Sequence, residues 1–257
     1  MGSSIALTAG QHGIVFNILS FGLVSMLACT IYTLVSQSRV LPKYRTALVM
    51  SSMVTFIAAY HYMRIFNSFE DSFVDGKLMV GTGAGTFNEA YRYVDWILTV
   101  PLLLVEVVAV LALAKAAASS LINRLVPASA AMIALGYPGE ISTDNNTKVL
   151  WGVLSTIPFL YILYVLFVEL SKSLDRQPAG VAATVGRLRL LLIATWGVYP
   201  ISYLLPILGQ DALDPAAFVN RQIGYTIADV LAKCVFGLTI LKIAKMKSVA
   251  EGMKDDH

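Results

Sequence analysis

The sequence predicts an all-α bundle of seven transmembrane helices, and three observations carry that expectation. Hydrophobic residues make up 57% of the 257 and charged residues only 14%, whereas a soluble domain carries about 25% charged residues. Apolar runs near the ~20 residues needed to cross the hydrocarbon core recur seven times. Lysine and arginine collect in alternate connections, as the loops of a multi-pass protein require.

The first helix is expected over residues 13–36 and the second over 46–67, the latter carrying His61 in Ala59-Tyr-His-Tyr-Met-Arg64. The one long connection, Ser68 to Glu89, holds Gly81-Thr-Gly-Ala-Gly-Thr-Phe87, turn chemistry suited to a short hairpin. The third helix is expected over 90–114, and the fourth over 122–138, the shortest and least marked of the seven. Residues 148–171, 185–208 and 218–244 complete the set. No linker is long enough to separate a second domain, so residues 1–257 read as one membrane domain with short tails. Met1 to Gln11 lacks a basic stretch ahead of an apolar core, which is not the pattern of a cleavable signal peptide.

Cation counts orient the bundle. One side holds Arg39, Lys43, Arg45, Lys115, Arg124, Lys172, Arg176, Arg187, Arg189, Lys242, Lys245, Lys247 and Lys254; the other holds Arg64, Lys77, Lys148 and Arg221. The poorer side is acidic instead, with Glu70, Asp71, Asp75, Glu140, Asp144, Asp211 and Asp214. By the positive-inside rule the N-terminus is extracellular and the C-terminus cytoplasmic. The net charge of +3 is too small to argue for nucleic acid. Cys29 and Cys234 show neither metal spacing nor a disulfide framework and are expected to be buried, inert thiols.

The seventh run places Lys233 one helical turn beyond Asp229 in an otherwise apolar segment. Ionisable groups at membrane depth are expensive and usually mark an ion path or a bound cofactor. Burial also favours the neutral, nucleophilic amine, which can condense with an aldehyde. The plain alternative is a buried structural ion pair. On the third run, Arg92, Asp95, Thr99 and Glu106 follow a one-face helical rhythm. Asp95 and Glu106 are eleven residues apart, or roughly 16 Å along the axis. Polar glue between helices is the competing explanation, but titratable groups lined along a bundle interior suit a proton relay. A protonated imine on Lys233 needs nearby anions, which Asp95 and Asp229 can supply, with Arg92 balancing the second negative charge. Loss of the imine proton to Asp95 moves it outward. Glu106, among Leu102, Leu103, Leu104 and Val105, is expected to hold its proton at rest and return one from the cytoplasmic side.

These residues resemble the microbial, type 1 rhodopsins, and the resemblance covers nearly the whole chain. Its carriers are Arg92-Tyr-x-Asp95-Trp96 with Thr99 and Glu106, and Asp229-x-x-x-Lys233. Trp196-Gly-Val-Tyr199-Pro200-Ile-Ser-Tyr203 resembles the family's aromatic clamp, and Ser155, Thr156, Tyr161 and Tyr164 fit the fifth helix. The resemblance implies all-trans retinal on Lys233, in a pocket that also draws on Trp96, Leu103 and Met132. It implies a light-driven ion transporter, not an enzyme, in the cell membrane of a microbe, surrounded by lipid and assembled as a pentamer or trimer. The aspartate, threonine, glutamate set is similar to that of the proteorhodopsin and xanthorhodopsin proton pumps. Sodium pumps, chloride pumps and sensory members depart from that set. His61 matches a histidine that bonds the counterion carboxylate in this subfamily, which would couple its titration to that of Asp95. Leu103 is similar to the residue of green-absorbing forms.

Gly152 stands where many relatives carry a bulky tryptophan. Xanthorhodopsin-like members use the resulting side opening to seat a carotenoid antenna, which implies a hydroxylated carotenoid near Gly152. The competing explanations are close helix approach and a lipid-filled groove. No carboxylate occupies the Arg221 position, eight before Asp229, where a release group is known in bacteriorhodopsin. A photosensor signalling through a partner membrane protein is the alternative function, disfavoured by Glu106.

Overall fold

Apolar side chains and self-satisfied backbone are what lipid demands, and the computed structural model meets both with helices. It describes residues 3–81, 83–142, 144–175 and 177–254. Thr82, in the glycine-rich connection, and Arg176, among the cations counted above, lie outside the described residues.

Seven rods run through the described residues. The first four are α1 (Ala9–Val35), α2 (Pro42–Asp71), α3 (Ala90–Leu111) and α4 (Lys115–Glu140). The fifth joins α5 (Asn145–Tyr164) through a π-turn at Val165–Glu169 to α6 (Ser171–Leu174). The sixth is α7 (Ala179–Trp196) followed by α8 (Val198–Ile207), and the seventh is α9 (Pro215–Asp229), a π-turn at Val230–Val235 and α10 (Phe236–Ala250). Six rods are long and apolar enough to cross a membrane; the seventh, which carries Arg221, Asp229 and Lys233, is divided by its π-turn into shorter helices. Rods adjacent in sequence pack together from α1 to α5, and the seventh closes against α1, α2 and α7. Residues such as Ile31, Phe56, Ile157, Leu190 and Ile201 are more than 60% exposed and form the lipid-facing surface.

Local chemistry explains the ends. Thr8 caps α1 in a capping box with Gln11, and Pro42 opens α2 where a missing N–H costs nothing. Asp144 caps α5 by accepting from the Thr147 hydroxyl and from the Thr147 backbone N–H, both at 2.7 Å, and those bonds hold its exposed carboxyl below the usual carboxylate range. The fourth helix is not short. It runs 26 residues, with Pro127 and Pro138 inside it, because membrane helices can re-satisfy the carbonyls that proline leaves free.

The long connection does form a hairpin, but not where the glycines cluster. Strand β2 (Phe73–Val74) pairs antiparallel with β3 (Lys77–Val80) across Asp75-Gly76. Both turn residues have positive φ, 49° and 74°, the backbone that an Asp-Gly pair supplies for a two-residue turn. Strand β1 (Ser3–Ile5) adds to the other edge of β3. Ile5 and Leu78 are thereby buried beside Phe69, Phe87 and Phe218, and close that end of the bundle. This end, which carries the chain's N-terminus, is termed the N-terminal face below.

Gly22 lets α1 approach the seventh rod. A Cβ there would collide with the Tyr62 ring and lie 2.9 Å from Thr226 Cγ2. Gly22→Ala should therefore cost about 1–3 kcal/mol in unfolding experiments in detergent. Gly13→Ala, on the same helix with open space around it, should be neutral or gain about 0.5–1 kcal/mol; equal effects would overturn this packing account.

Candidate functional site

Lys233 sits in the π-turn of the seventh rod, only 2% exposed. The wider turn follows Asp229 directly, and such bulges often occur at functional positions. Lysine Nζ donates to Asp95 Oδ2 and to Asp229 Oδ1, both at 2.7 Å. Both carboxylates are almost fully buried. One ammonium between two aspartates leaves a negative excess, which Arg92 offsets: its Nη1 lies 3.6 Å from Asp229 Oδ2.

Asp229 is the more heavily supported acid. Tyr62 donates to its Oδ2 at 2.8 Å and Tyr199 to its Oδ1 at 2.7 Å. Arg92 is held over the rings of Tyr62 and Tyr225 and donates from Nη2 to Gln222 Oε1 at 2.7 Å. Asp95 keeps Oδ1 without a hydrogen-bond partner among the described residues. Of the two acids, Asp95 therefore has the free lone pairs with which to take a proton.

His61, the expected partner of Asp95, is placed differently, and Thr99 does not reach its carboxylate. His61 Nδ1 stands 4.0 Å from Asp95 Oδ1, beyond hydrogen-bond reach, because it is 2.9 Å from the Ile57 carbonyl of its own helix. Thr99 lies on the stripe and is fully buried, but its hydroxyl donates to the Asp95 backbone carbonyl at 2.9 Å, not to the carboxylate.

Glu106 lies on the same helix towards the opposite face and is fully buried. Ser51 of α2 donates to its Oε2 at 2.7 Å, and Oε1 has no partner among the described residues. Leu103, Leu104 and Val107 surround it in the apolar core. The stripe thus holds two acids apart, one in contact with the lysine and one in an apolar enclosure.

From the Lys233 nitrogen a cavity of about 290 Å³ runs between the third, fourth, fifth and sixth rods. Trp96, Leu103, Met132, Trp196, Tyr199 and Pro200 line it, with Ser155 and Thr156 on the α5 side. Ser155 is tied to the Met132 carbonyl at 2.7 Å and Thr156 to the Gly152 carbonyl at 2.8 Å, so neither hydroxyl is left for an apolar occupant to desolvate. Pro200 has no N–H for the Trp196 carbonyl, and the sixth rod breaks into α7 and α8 at Gly197, between them. Gly152 also lines the cavity, which continues past it to Val153 and Leu204, 58% and 48% exposed. The Tyr203 ring packs on that glycine, with Cε1 2.9 Å from a Cβ built there. Close approach and a lateral opening therefore coexist at Gly152.

Tyr62, Gln222 and Ser51 were not singled out from the sequence. Gln222 sits seven residues before Asp229, two turns along one face, which is the signal that would have found it. Tyr62 and Ser51 offer only a hydroxyl on an apolar helix.

A bundle of membrane rods enclosing an amine, two carboxylates and an apolar cavity defines a class, the seven-helix membrane proteins with an internal small-molecule site. The family model described as bacteriorhodopsin-like protein matches residues 15–246. A green-light absorbing proteorhodopsin from Gamma-proteobacterium EBAC31A08 is 31% identical over 234 residues, 89% of this chain and 86% of that protein. Among solved structures, thermophilic rhodopsin is 44% identical with a TM-score of 0.90, covering 98% of this chain and all of that one. Xanthorhodopsin, described as a light-driven ion pump with dual chromophore, is 46% identical with a TM-score of 0.89, covering 99% and 100%. The chain belongs to the bacteriorhodopsin-like family, the microbial rhodopsins.

Breaking the lysine–aspartate cluster should be costly. Without bound chromophore, Lys233→Met leaves two buried acids facing each other and should lose about 3–5 kcal/mol of stability. Adding Asp95→Asn should recover part of it, because Asp229 keeps Arg92, Tyr62 and Tyr199; thermal unfolding of both variants checks this.

Proposed function

We propose that the protein is a light-driven outward proton pump of a microbial cell membrane, with the N-terminal face outside and the C-terminus in the cytoplasm. One observation carries the reading: the Lys233 nitrogen lies 2.7 Å from Asp95 at the head of an apolar cavity, while Glu106 waits buried on the same helix towards the other face. The thirteen-to-four distribution of lysine and arginine supports the orientation.

The residues fit all-trans retinal. Lys233 is placed to bind its aldehyde carbon, and Trp96, Leu103, Met132, Trp196 and Pro200 provide flat and branched walls for a polyene. Bound there, retinal supplies light absorption and an isomerisation that re-aims the lysine nitrogen. Asp95 stabilises positive charge at that nitrogen and accepts its proton at the partnerless Oδ1 or at Oδ2. Asp229, held by two tyrosine hydroxyls and Arg92, stays ionised and keeps the site's charge balanced. Glu106 stores a proton in its dry enclosure, with Ser51 fixing its rotamer, and restores the nitrogen's proton from the cytoplasmic side. Access to one acid and then the other gives the direction.

Illuminated cells or vesicles carrying the protein and retinal should acidify the outer medium, and a protonophore should abolish the signal; no pH change would leave a photosensor as the reading. Asp95→Asn should absorb at longer wavelength and transport nothing. Glu106→Gln should keep its colour and recover the ground state more slowly, by about 10²-fold or more; recovery at the normal rate would remove Glu106 as donor.

A second reading concerns Gly152. The cavity's continuation to exposed Val153 and Leu204 supports a hydroxylated carotenoid lying against that opening and passing its excitation inward. Gly152→Trp should erase any carotenoid band from the action spectrum while retinal-driven pumping continues; a band that survives would place the carotenoid elsewhere.

A further inference from the structure

We propose that Glu89 is the exit carboxylate, the last protein group to hold the transported proton, with Gln222 and Arg221 as positioning residues; this rests on the outward-pump reading.

A line of polar contacts joins the lysine site to the surface. Asp229 meets Arg92 at 3.6 Å, Arg92 donates to Gln222 at 2.7 Å, and Gln222 Nε2 donates to Glu89 Oε1 at 2.6 Å. Arg221 Nη2 lies 3.2 Å from the other oxygen, Oε2. Exposure rises along the line, from 2% or less at Asp229, Arg92 and Gln222 to 25% for the Glu89 side chain. Glu89 is therefore the point where a buried network first meets water.

Chemistry separates the roles along that line. A guanidinium stays charged in proteins, so Arg92 and Arg221 cannot hand on a proton. The Gln222 amide is not an acid; its carbonyl receives Arg92 and its NH₂ holds Glu89. The only group on the line beyond Asp229 that can take and release a proton is the Glu89 carboxylate. Arg92 and Arg221 face it with positive charge, Glu140 at the end of α4 with negative charge, and the Tyr225 phenol lies in the same field.

Charge gives the timing. Once Glu106 has restored the proton on the lysine nitrogen while Asp95 is still protonated, the buried cluster carries one more positive charge than at rest. That excess drives the Asp95 proton towards an outer anion. The Asp95 O–H bond breaks, water carries the proton past Arg92, an O–H bond forms on Glu89, and it breaks again as the proton leaves to outside water. Asp95 and Glu89 both end ionised, and one proton has been moved.

The test is flash photolysis of the retinal-loaded protein, with the Asp95 carboxyl followed by infrared absorption and the outer medium by a pH-sensitive dye. Glu89→Gln should delay both Asp95 deprotonation and the dye signal by about tenfold or more, with the ground-state colour and the rate of Asp95 protonation unchanged. Glu89→Asp should behave nearly as the unmodified protein. Millimolar formate in the outer medium should speed release in Glu89→Gln, since a diffusible weak acid can replace a missing carboxylate but cannot repair a misplaced arginine. Normal timing in Glu89→Gln, a delay that formate does not relieve, or a delay in Glu140→Gln instead would each overturn the assignment. If Asp95 never becomes protonated in the unmodified protein, the pump reading fails and the exit assignment falls with it.

Discussion

A lysine amine at membrane depth is the constraint from which the rest of this structure follows. Lys233 cannot be both ionised and alone there, because hydrocarbon offers nothing to solvate an ammonium. The fold answers with Asp95 from α3 and Asp229 from the same rod, each 2.7 Å from Nζ. Two acids against one base would be unstable in turn, so Arg92 is buried with them. Its guanidinium is then held by Gln222 and two aromatic faces. Each charge placed in the interior brings in the next, and the chain of requirements ends only where Glu89 and Arg221 reach water.

The two aspartates are supported unequally. Asp229 accepts from two phenols, the lysine and, at longer range, the arginine, so protonating it would sacrifice several charge-assisted contacts. Asp95 holds the lysine through one oxygen, and the other has no hydrogen-bond partner among the described residues. Protonating Asp95 would therefore disturb fewer contacts than protonating Asp229. Glu106 is surrounded differently, with one serine hydroxyl as its hydrogen-bond donor and the apolar core around it.

Much of this was legible in the residues themselves. Composition and run length were enough for seven rods, because lipid permits little else, and the i, i+4 spacing of Asp229 and Lys233 translates directly into contact. The stripe from Arg92 to Glu106 does share one face. What failed to show was orientation within that face. Thr99 turns its hydroxyl back to its own helix, and His61 gives its Nδ1 to the Ile57 carbonyl, choices made by local backbone acceptors that periodicity does not register. The hairpin turn fell at Asp75-Gly76 and not in the glycine-rich run, since two positive-φ positions matter more to a tight turn than glycine count. The π-turns at Val165–Glu169 and Val230–Val235 have no sequence mark that simple periodicity can detect.

The seventh rod is interrupted by the π-turn at Val230–Val235, within which Ala232 and Lys233 line the cavity while the Lys233 nitrogen sits against Asp95, so amine, acid and apolar chamber share one small space. The sixth rod is interrupted too, at Gly197 beside Trp196 and Pro200, across the cavity from α3. Three rods with broken backbone regularity, the fifth, sixth and seventh, flank the chamber, whereas α3, which carries Asp95 and Glu106, runs unbroken from Ala90 to Leu111 through Pro101. Asp95 and Glu106 thus share one continuous helix, while Lys233 and Trp196 sit at or beside interruptions.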